Sequence, residues 1–302
     1  MIDILMATYN GERFLDLQIF SLINQTYSDW NLYIHDDGST DNTVSVIKKW
    51  SEHDKRIHLV DDGIKHLGPG NNFFHLIPYA KSEYVCFCDQ DDFWFEYKLS
   101  EYVDFMKGHE SSRPFCAIFS AYIWSRECIS PFLHEQATSL NRVLFTGGTQ
   151  GCSIVFNNAL AQKTVRLSDK NIFLHDYVVV LLAVLYGEVQ YVQKKLMLYR
   201  QHDANVTAHM PKSKIEKIVR GIKENSNSTF LYPKMHEDIE VVFKAFKSEI
   251  SDKDKRLFER YLSLPAYSKF KRFWKLCFSD FSIGSHSRFY FLIKFLLRKK
   301  YK

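Results

Sequence analysis

The sequence is short of most of the signatures by which a chain declares its chemistry. No G-x-x-x-x-G-K-[ST] run occurs, which excludes a P-loop at the level of motif. Gly68-Pro69-Gly70 lacks the third glycine and the strand-to-helix setting of a dinucleotide fingerprint. Asp36 to Asp41 has neither the spacing nor the closing glutamate of an EF-hand. The six cysteines (86, 88, 116, 128, 152 and 277) form no C-x-x-C pair and no zinc-type spacing. Most lie in apolar runs, so they are expected to be reduced core residues of a cytosolic protein. No stretch approaches the ~18 to 20 apolar residues of a membrane-spanning helix. Met1 to Met6 carries no basic leader, and a signal peptide is not expected.

What is present is a chain of 302 residues, 46% hydrophobic and 16% aromatic. That suffices for one large α/β domain with an appendage, or for two modest domains. Net charge is +5, unevenly placed: Lys269 to Lys302 holds ten Lys and Arg against the single acid Asp280, leaving −4 for the rest.

Periodicity predicts strands over 2–7, 30–35, 57–60 and 84–88, alternating with helices over 14–23, 43–50 and 72–80. Strands alternating with helices imply β-α-β units and a mostly parallel central sheet flanked by helices. Further on, strands are expected over 115–124, 152–156 and 189–192, with a strongly apolar helix over 175–186 stopped by Gly187 and a segment 196–202 closing this part. Beyond Pro211 the pattern turns helical and charged (214–225, then 237–262). The predicted division is a first domain over 1–207 and a helical C-terminal region over 208–302.

In an open parallel sheet, ligands bind at the carboxyl ends of the strands. Three loops belong there: Thr8-Tyr9-Asn10-Gly11-Glu12, Asp36-Asp37-Gly38-Ser39-Thr40-Asp41, and Asp89-Gln90-Asp91-Asp92. This rim is rich in carboxylates and has no phosphate cradle. It suits a divalent cation with oxygen ligands that bridges to substrate phosphates. Taken singly, each loop reads equally as a solvated turn or a helix cap.

Taken in order, "ILMATYNGE", "IHDDGSTDNT" and "CFCDQDDFW" resemble the family 2 glycosyltransferases, inverting enzymes of the GT-A fold. The resemblance runs on through "GCSIVFNNAL", "HDYVVVLLAVLYG" and "LYRQHDANV" to about residue 207. The run D-Q-D-D-F-W with a late Y-R-Q-H-x-x-N is similar to bacterial rhamnosyltransferase-like enzymes of surface-polysaccharide synthesis. The resemblance implies that Thr8 and Asp36 contact the nucleoside, with Tyr9, Asn10, Glu12 and Asp37 beside them. It implies a D-x-D pair in which Asp91 ligates Mg²⁺ or Mn²⁺ and Asp89 faces the ribose or a metal-bound water. Asp176 matches the general base, with His175 where many members carry Glu. Gln150, Gly151 and Cys152 match positions near the acceptor, and are otherwise a turn into a strand. Trp94 either walls that pocket or packs in the core. Arg200 and His202 face the diphosphate or the metal, or are surface residues of a loop. The Q-x-x-R-W run of processive members is missing, which implies transfer of one sugar per encounter.

The implied donor is dTDP-rhamnose or a UDP-sugar, and the acceptor a glycan, polyprenyl-pyrophosphate-linked. Other readings remain: a UDP-galactose, UDP-glucose or N-acetylhexosamine transferase, a sugar-phosphate nucleotidyltransferase, or an inactive subunit of the same fold. The basic, aromatic tail reads as an interfacial anchor on the inner face of the cell membrane, or as a packed hairpin or homodimer contact. The acidic rim argues against nucleic acid.

Overall fold

The computed structural model describes residues 1–109, 112–125, 128–132, 137–145, 149–202, 232–279, 281 and 292. The helix expected over 214–225, and all of the apolar stretch 288–298 but Leu292, lie outside the described residues. Two compact units are formed, one from Met1–His134 and Gly148–Gln201, the other from Glu135–Gly147 and His202–Lys302.

In the first unit, β1 (Ile2–Thr8), β2 (Trp30–Asp36), β3 (Ile57–Val60) and β4 (Tyr84–Cys88) lie in the order β3-β2-β1-β4, all parallel. Their fully or largely apolar runs suit a sheet covered on both faces. α1 (Glu12–Ile23) covers one face, burying Leu15, Ile19 and Leu22 at helical spacing. α2 (Thr43–His53) and α3 (Pro69–Leu76) complete the β-α-β connections.

The second half of the sheet differs from the mostly parallel arrangement expected. β8 (Ile154–Asn157) runs antiparallel between β4 and β6 (Phe115–Trp124), and β9 (Glu188–Arg200) runs parallel to β6. The short β5 (Phe93–Trp94) pairs antiparallel with β9, and β7 (Ile129–Pro131) pairs antiparallel with β6. The sheet is therefore mixed. β9 is continuous where two separate segments are expected, because its pairing with β6 continues across an irregularity near Ser120. β5, β7, α4 (Lys98–Lys107), a short α5 (Leu140–Val143) and α6 (Asn158–Val165) have no counterpart in the sequence pattern. Residues 151–153 form a 3₁₀ turn rather than the start of a strand.

α7 (His175–Tyr186) buries Tyr177 to Ala183 on all sides, as its uniform hydrophobicity requires. It stops at Gly187, where a Cβ would collide with the carbonyl of Pro114. Four of the six cysteines are buried, and all six are free thiols, although Cys128 is exposed.

The second unit is helical. The single pattern expected over 237–262 is two helices, α8 (Pro233–Phe246) and α9 (Asp252–Ser263), because Ser251 caps α9 by accepting from Asp254 N at 3.1 Å. Phe145, just after α5, packs on Tyr261 and Phe281 with ring centres 5.0 and 4.9 Å apart. α10 (Lys269–Cys277) buries Leu276 and presents Phe270 and Trp274, with Phe278 one turn on, to solvent.

The close approach at Gly187 generates a prediction. Gly187→Ala should destabilise the fold by about 1–3 kcal/mol, the usual cost of overpacking. The midpoint of urea unfolding measures this, and an unchanged midpoint would contradict the packing at Pro114.

Candidate active site

The ends of β1 and β2 lie side by side, Thr8 pairing with Asp36. The Thr8 hydroxyl donates to Asp36 Oδ1 at 2.9 Å, and Asp36 Oδ2 accepts from Gly38 N and Ser39 N at 3.1 and 2.8 Å. Gly38, with φ +91°, makes the turn that aims both amides at this carboxylate. Asp36 thus ends β2 in one fixed orientation.

Three of the expected nucleotide contacts are committed to holding these loops. Asn10 Oδ1 accepts from Thr40 N at 2.8 Å, and Glu12 Oε2 from Asn42 N at 2.7 Å, which ties the first loop to the second. The Asp37 carboxylate is buried and accepts from Leu67 N and Gly68 N at 2.7 and 2.8 Å, ordering the approach to α3. Tyr9 has an exposed side chain, and its backbone is bound by Gln90 in both directions at 3.0 Å. Sequence reading passed over Gln90 because an amide between aspartates resembles any turn residue. Gly11 leaves the room for it, since a Cβ there would strike the Gln90 amide.

The acidic turn leaves the sheet at the same edge. Asp89 is half-buried, and burial first, then the charge of Asp91, push its carboxyl up to about 7. Asp92 points inward and is fully buried. Its Oδ1 accepts from Arg200 N at 3.0 Å, while its Oδ2 has no partner among the described residues. Arg200 Nε donates to the Asp91 carbonyl at 2.7 Å, and its guanidinium lies 3.8 Å over Trp124. Arg200 therefore reaches this rim.

Beneath the turn lies Lys98, wholly buried in the first turn of α4. Its Nζ donates to the Cys152 carbonyl at 2.7 Å and sits 3.6 Å over the Trp94 ring. Burial lowers its pKa, and neighbouring groups including Asp92 oppose that shift. One lysine six residues beyond an acidic turn carries no signal in sequence. Of its two expected places Trp94 takes the core: it is 1% exposed, with the Lys98 ammonium over its ring.

Asp89 and Asp92, with Cys152, bring potential ligand atoms within 4.8 Å of one another. Burial holds the Cys152 thiol well above its usual range, so it stays protonated and is a poor ligand. The donors that remain at the rim, Asp89 and Asp91, are hard oxygens of the kind Mg²⁺ and Mn²⁺ prefer. Burial first, then the charges of Asp91 and Asp89, push the Asp92 carboxyl well above the usual carboxylate range, so the charge offered to an ion comes from the rim pair. The residues fit such an ion.

Asp176 stands in the first turn of α7 and accepts from Tyr177 N at 2.7 Å. α3 fixes the chain that leads to it: Asn71 accepts from Ile172 N at 2.6 Å, and Gly70 abuts the carbonyls of Ile172 and Phe173. The His175 ring stacks on Phe73 at 3.9 Å and meets Phe87 edge-on at 4.9 Å. Burial pushes its pKa down to about 3, so it is neutral, and its Nε2 lies against Gly151 without a partner among the described residues. Gln150, Gly151 and Cys152 are buried beside it. The expected acceptor residues His175 and Cys152 thus form the packed floor of the region. His202 falls at the start of the second unit.

The raised Asp89 has a consequence for stability. Its folded pKa lies above the ~3.9 of a free aspartate. Between about pH 4 and pH 7 the folded, metal-free chain therefore keeps a proton that the unfolded chain has lost, and stability falls as pH rises. His175 acts oppositely, its depressed pKa costing stability as pH falls below about 6.5. Comparing metal-free protein with Asp89→Asn isolates the first effect. The melting temperature of the wild type should drop relative to the variant between about pH 5 and about pH 7.5, and a constant difference would refute the raised value.

Residues 3–159 match the model of glycosyl transferase family 2. The chain is 31% identical over 220 residues to the dTDP-rhamnosyl transferase RfbG of Shigella flexneri, covering 66% of this chain and 72% of that one. It is 28% identical over 162 residues to WfgD of Escherichia coli, a UDP-Glc:alpha-D-GlcNAc-diphosphoundecaprenol beta-1,3-glucosyltransferase, covering 53% and 61%. Among solved structures it is similar to residues 1–349 of TarS from S. aureus in complex with UDP-GlcNAc, with a TM-score of 0.55 at 16% identity, covering 98% and 88%. It is also similar to the mannosyltransferase PcManGT of Pyrobaculum calidifontis in complex with GDP-Man and Mn²⁺, with a TM-score of 0.52 at 13% identity, covering 97% and 85%. Motif order, sheet and rim agree with these matches: the chain is a GT-A-type glycosyltransferase and belongs to glycosyl transferase family 2.

Proposed function

We propose that the protein transfers one sugar, with inversion, from dTDP-rhamnose or a UDP-sugar to a lipid-linked glycan during surface-polysaccharide synthesis. The observation that carries the donor class is the likeness to a dTDP-rhamnosyl transferase over 72% of that enzyme's length. The lipid-linked acceptor is favoured by the likeness to an enzyme whose acceptor is carried on diphosphoundecaprenol.

In this reading Thr8 and Asp36, joined by their hydrogen bond, receive the nucleoside at the ends of β1 and β2. Asp89 and Asp91 would hold Mg²⁺ or Mn²⁺. Such an ion, when bound, offsets the negative charge that develops on the departing nucleoside diphosphate. Arg200, pinned on Trp124, adds a fixed positive charge for the same oxygens. Asp176 takes the proton of the acceptor hydroxyl as it attacks the anomeric carbon from the face opposite the leaving group. His175, beside Asp176, is packed between Phe73 and Gly151 and stays uncharged near neutral pH.

Asp176→Asn separates base from scaffold. The variant should keep donor binding, read as a thermal shift by dTDP-rhamnose or UDP-sugars with Mg²⁺ or Mn²⁺, and lose ~10² to 10⁴ in transfer rate. Joint loss of binding and turnover would make Asp176 a structural or nucleotide-binding residue. Absence of any shift across the donor series would remove the donor assignment.

The second unit supports attachment to the inner face of the membrane. Phe270, Trp274 and Phe278 recur every four residues and are 77%, 59% and 78% exposed, among Lys269, Lys271 and Lys275. Aromatics on one helical stripe among bases suit an anionic lipid interface, where each base contributes about 1 kcal/mol. Replacing all three aromatics by serine should release the full-length protein from anionic vesicles in a sedimentation assay while transfer to a soluble acceptor continues. Equal sedimentation of the wild type and the variant would leave the stripe a protein contact instead.

A further inference from the structure

A second cluster of ligating side chains lies away from the acidic rim, where β2, the loop after β3 and α3 meet. His35, near the end of β2, is buried, with a side chain 2% exposed. Its Nδ1 lies 2.6 Å from Asn72 Oδ1, and Asn72 Nδ2 donates to the His35 carbonyl at 3.2 Å. The second bond settles which way the amide points, so Oδ1 is the acceptor and His35 Nδ1 carries the proton. The lone pair of Nε2 is then directed at Asp62 Oδ1, 3.5 Å away. The other oxygen of Asp62 lies 2.6 Å from His75 Nε2 and accepts from the Tyr79 hydroxyl at 3.3 Å. The rings of His35 and His75 meet edge-on at 4.7 Å.

A lone pair facing a carboxylate is repulsive unless a positive charge stands between them. A metal ion supplies that charge, and the imidazole is already oriented as ligating histidines are, by a hydrogen bond from the other ring nitrogen. One nitrogen from each histidine and one oxygen of Asp62 lie within 4.8 Å of one another. Ligands about 2.0–2.1 Å from a tetrahedral ion sit about 3.3 Å apart, so the most separated donors close by at most about 1.5 Å, within reach of side-chain rotation at the partly exposed His75 and Asp62. His75 and Asp62 keep 21% and 26% exposure, which leaves an entry path and room for water.

We propose that His35 Nε2, His75 Nε2 and an Asp62 oxygen bind a divalent ion of the zinc class, with water at the fourth position. Two nitrogen donors select against Mg²⁺ and Ca²⁺, so the site is chemically distinct from the oxygen-lined rim. Its ligands join α3 to β2. The ion thereby braces the helix whose first turn, through Gly70 and Asn71, holds the chain entering α7. The site does not depend on the identity of donor or acceptor.

Co²⁺ serves as the probe, added to chelator-stripped full-length protein carrying Asp91→Asn to weaken the rim. One equivalent should bind with the intense visible ligand-field bands of a tetrahedral centre with nitrogen ligands, and Zn²⁺ should bleach them. His75→Ala and, separately, Asp62→Asn should abolish the bands. Both positions are partly exposed, and far-ultraviolet circular dichroism checks that each variant is folded. Asn72→Leu, which frees the His35 ring, should weaken binding by about 10- to 100-fold. Absence of the bands in the parent protein, or bands that persist in folded His75→Ala or Asp62→Asn, would overturn the site.

Discussion

The burial of acidic groups at the end of β4 is the constraint on which the site depends: burial first, then their mutual charge, pushes Asp89 and Asp92 up. Three carboxylates within four residues at the end of a buried strand would drive the turn into solvent if nothing held it. Lys98 answers from below and Arg200 from the side, its main-chain amide on the Asp92 carboxylate and its guanidinium on the Asp91 carbonyl. Neither cation is free to neutralise the rim completely, because Lys98 is bound to the Cys152 carbonyl and Arg200 rests on Trp124. The rim therefore keeps carboxylate oxygens that neither cation occupies. β5 exists for the same reason: two residues paired to β9 bring Arg200 beside the turn.

α3 is the second organiser, and its contacts run in four directions. Asp37 receives the amides that precede it, Asn72 meets His35, Asn71 and Gly70 hold residues 171–173, and Phe73 stacks on His175. A single short helix thus relates the carboxyl end of β2 to the helix that carries Asp176. Its residues are small or amide-bearing on the side that meets backbone, which allows close approach with every polar atom satisfied.

Much of the first unit was legible in the sequence, because apolar runs of four to seven residues separated by amphipathic helices have one economical arrangement. The ranges 57–60, 84–88, 115–124 and 175–186 agree with periodicity alone. What escaped has a common physical origin in tertiary context. β5 is two residues long and exists only through its partner, and α4 has a lysine in its buried face. The antiparallel entry of β8 follows from pairing choices that no local pattern encodes. At the site, the carboxylate-bearing loops were readable from strand order. The division of labour within them was not: Asn10, Glu12 and Asp37 look identical in sequence to ligand contacts, yet each is occupied with backbone amides. Trp94 shows the converse, a motif residue whose neighbours are all interior.

The return of residues 135–147 to the second unit bears on how such enzymes can be recombined. The chain passes between its two units after His134, after Gly147 and again after Gln201. Phe145 belongs to the aromatic cluster with Tyr261 and Phe281, far along the chain. A chimaera joined once, near residue 202, would pair one parent's Phe145 segment with the other's partners for it. The second unit is therefore not a cassette that moves with the C-terminal third alone. Inheritance of the second unit requires two breakpoints more, and lineages that exchange it whole must exchange a short internal segment with it.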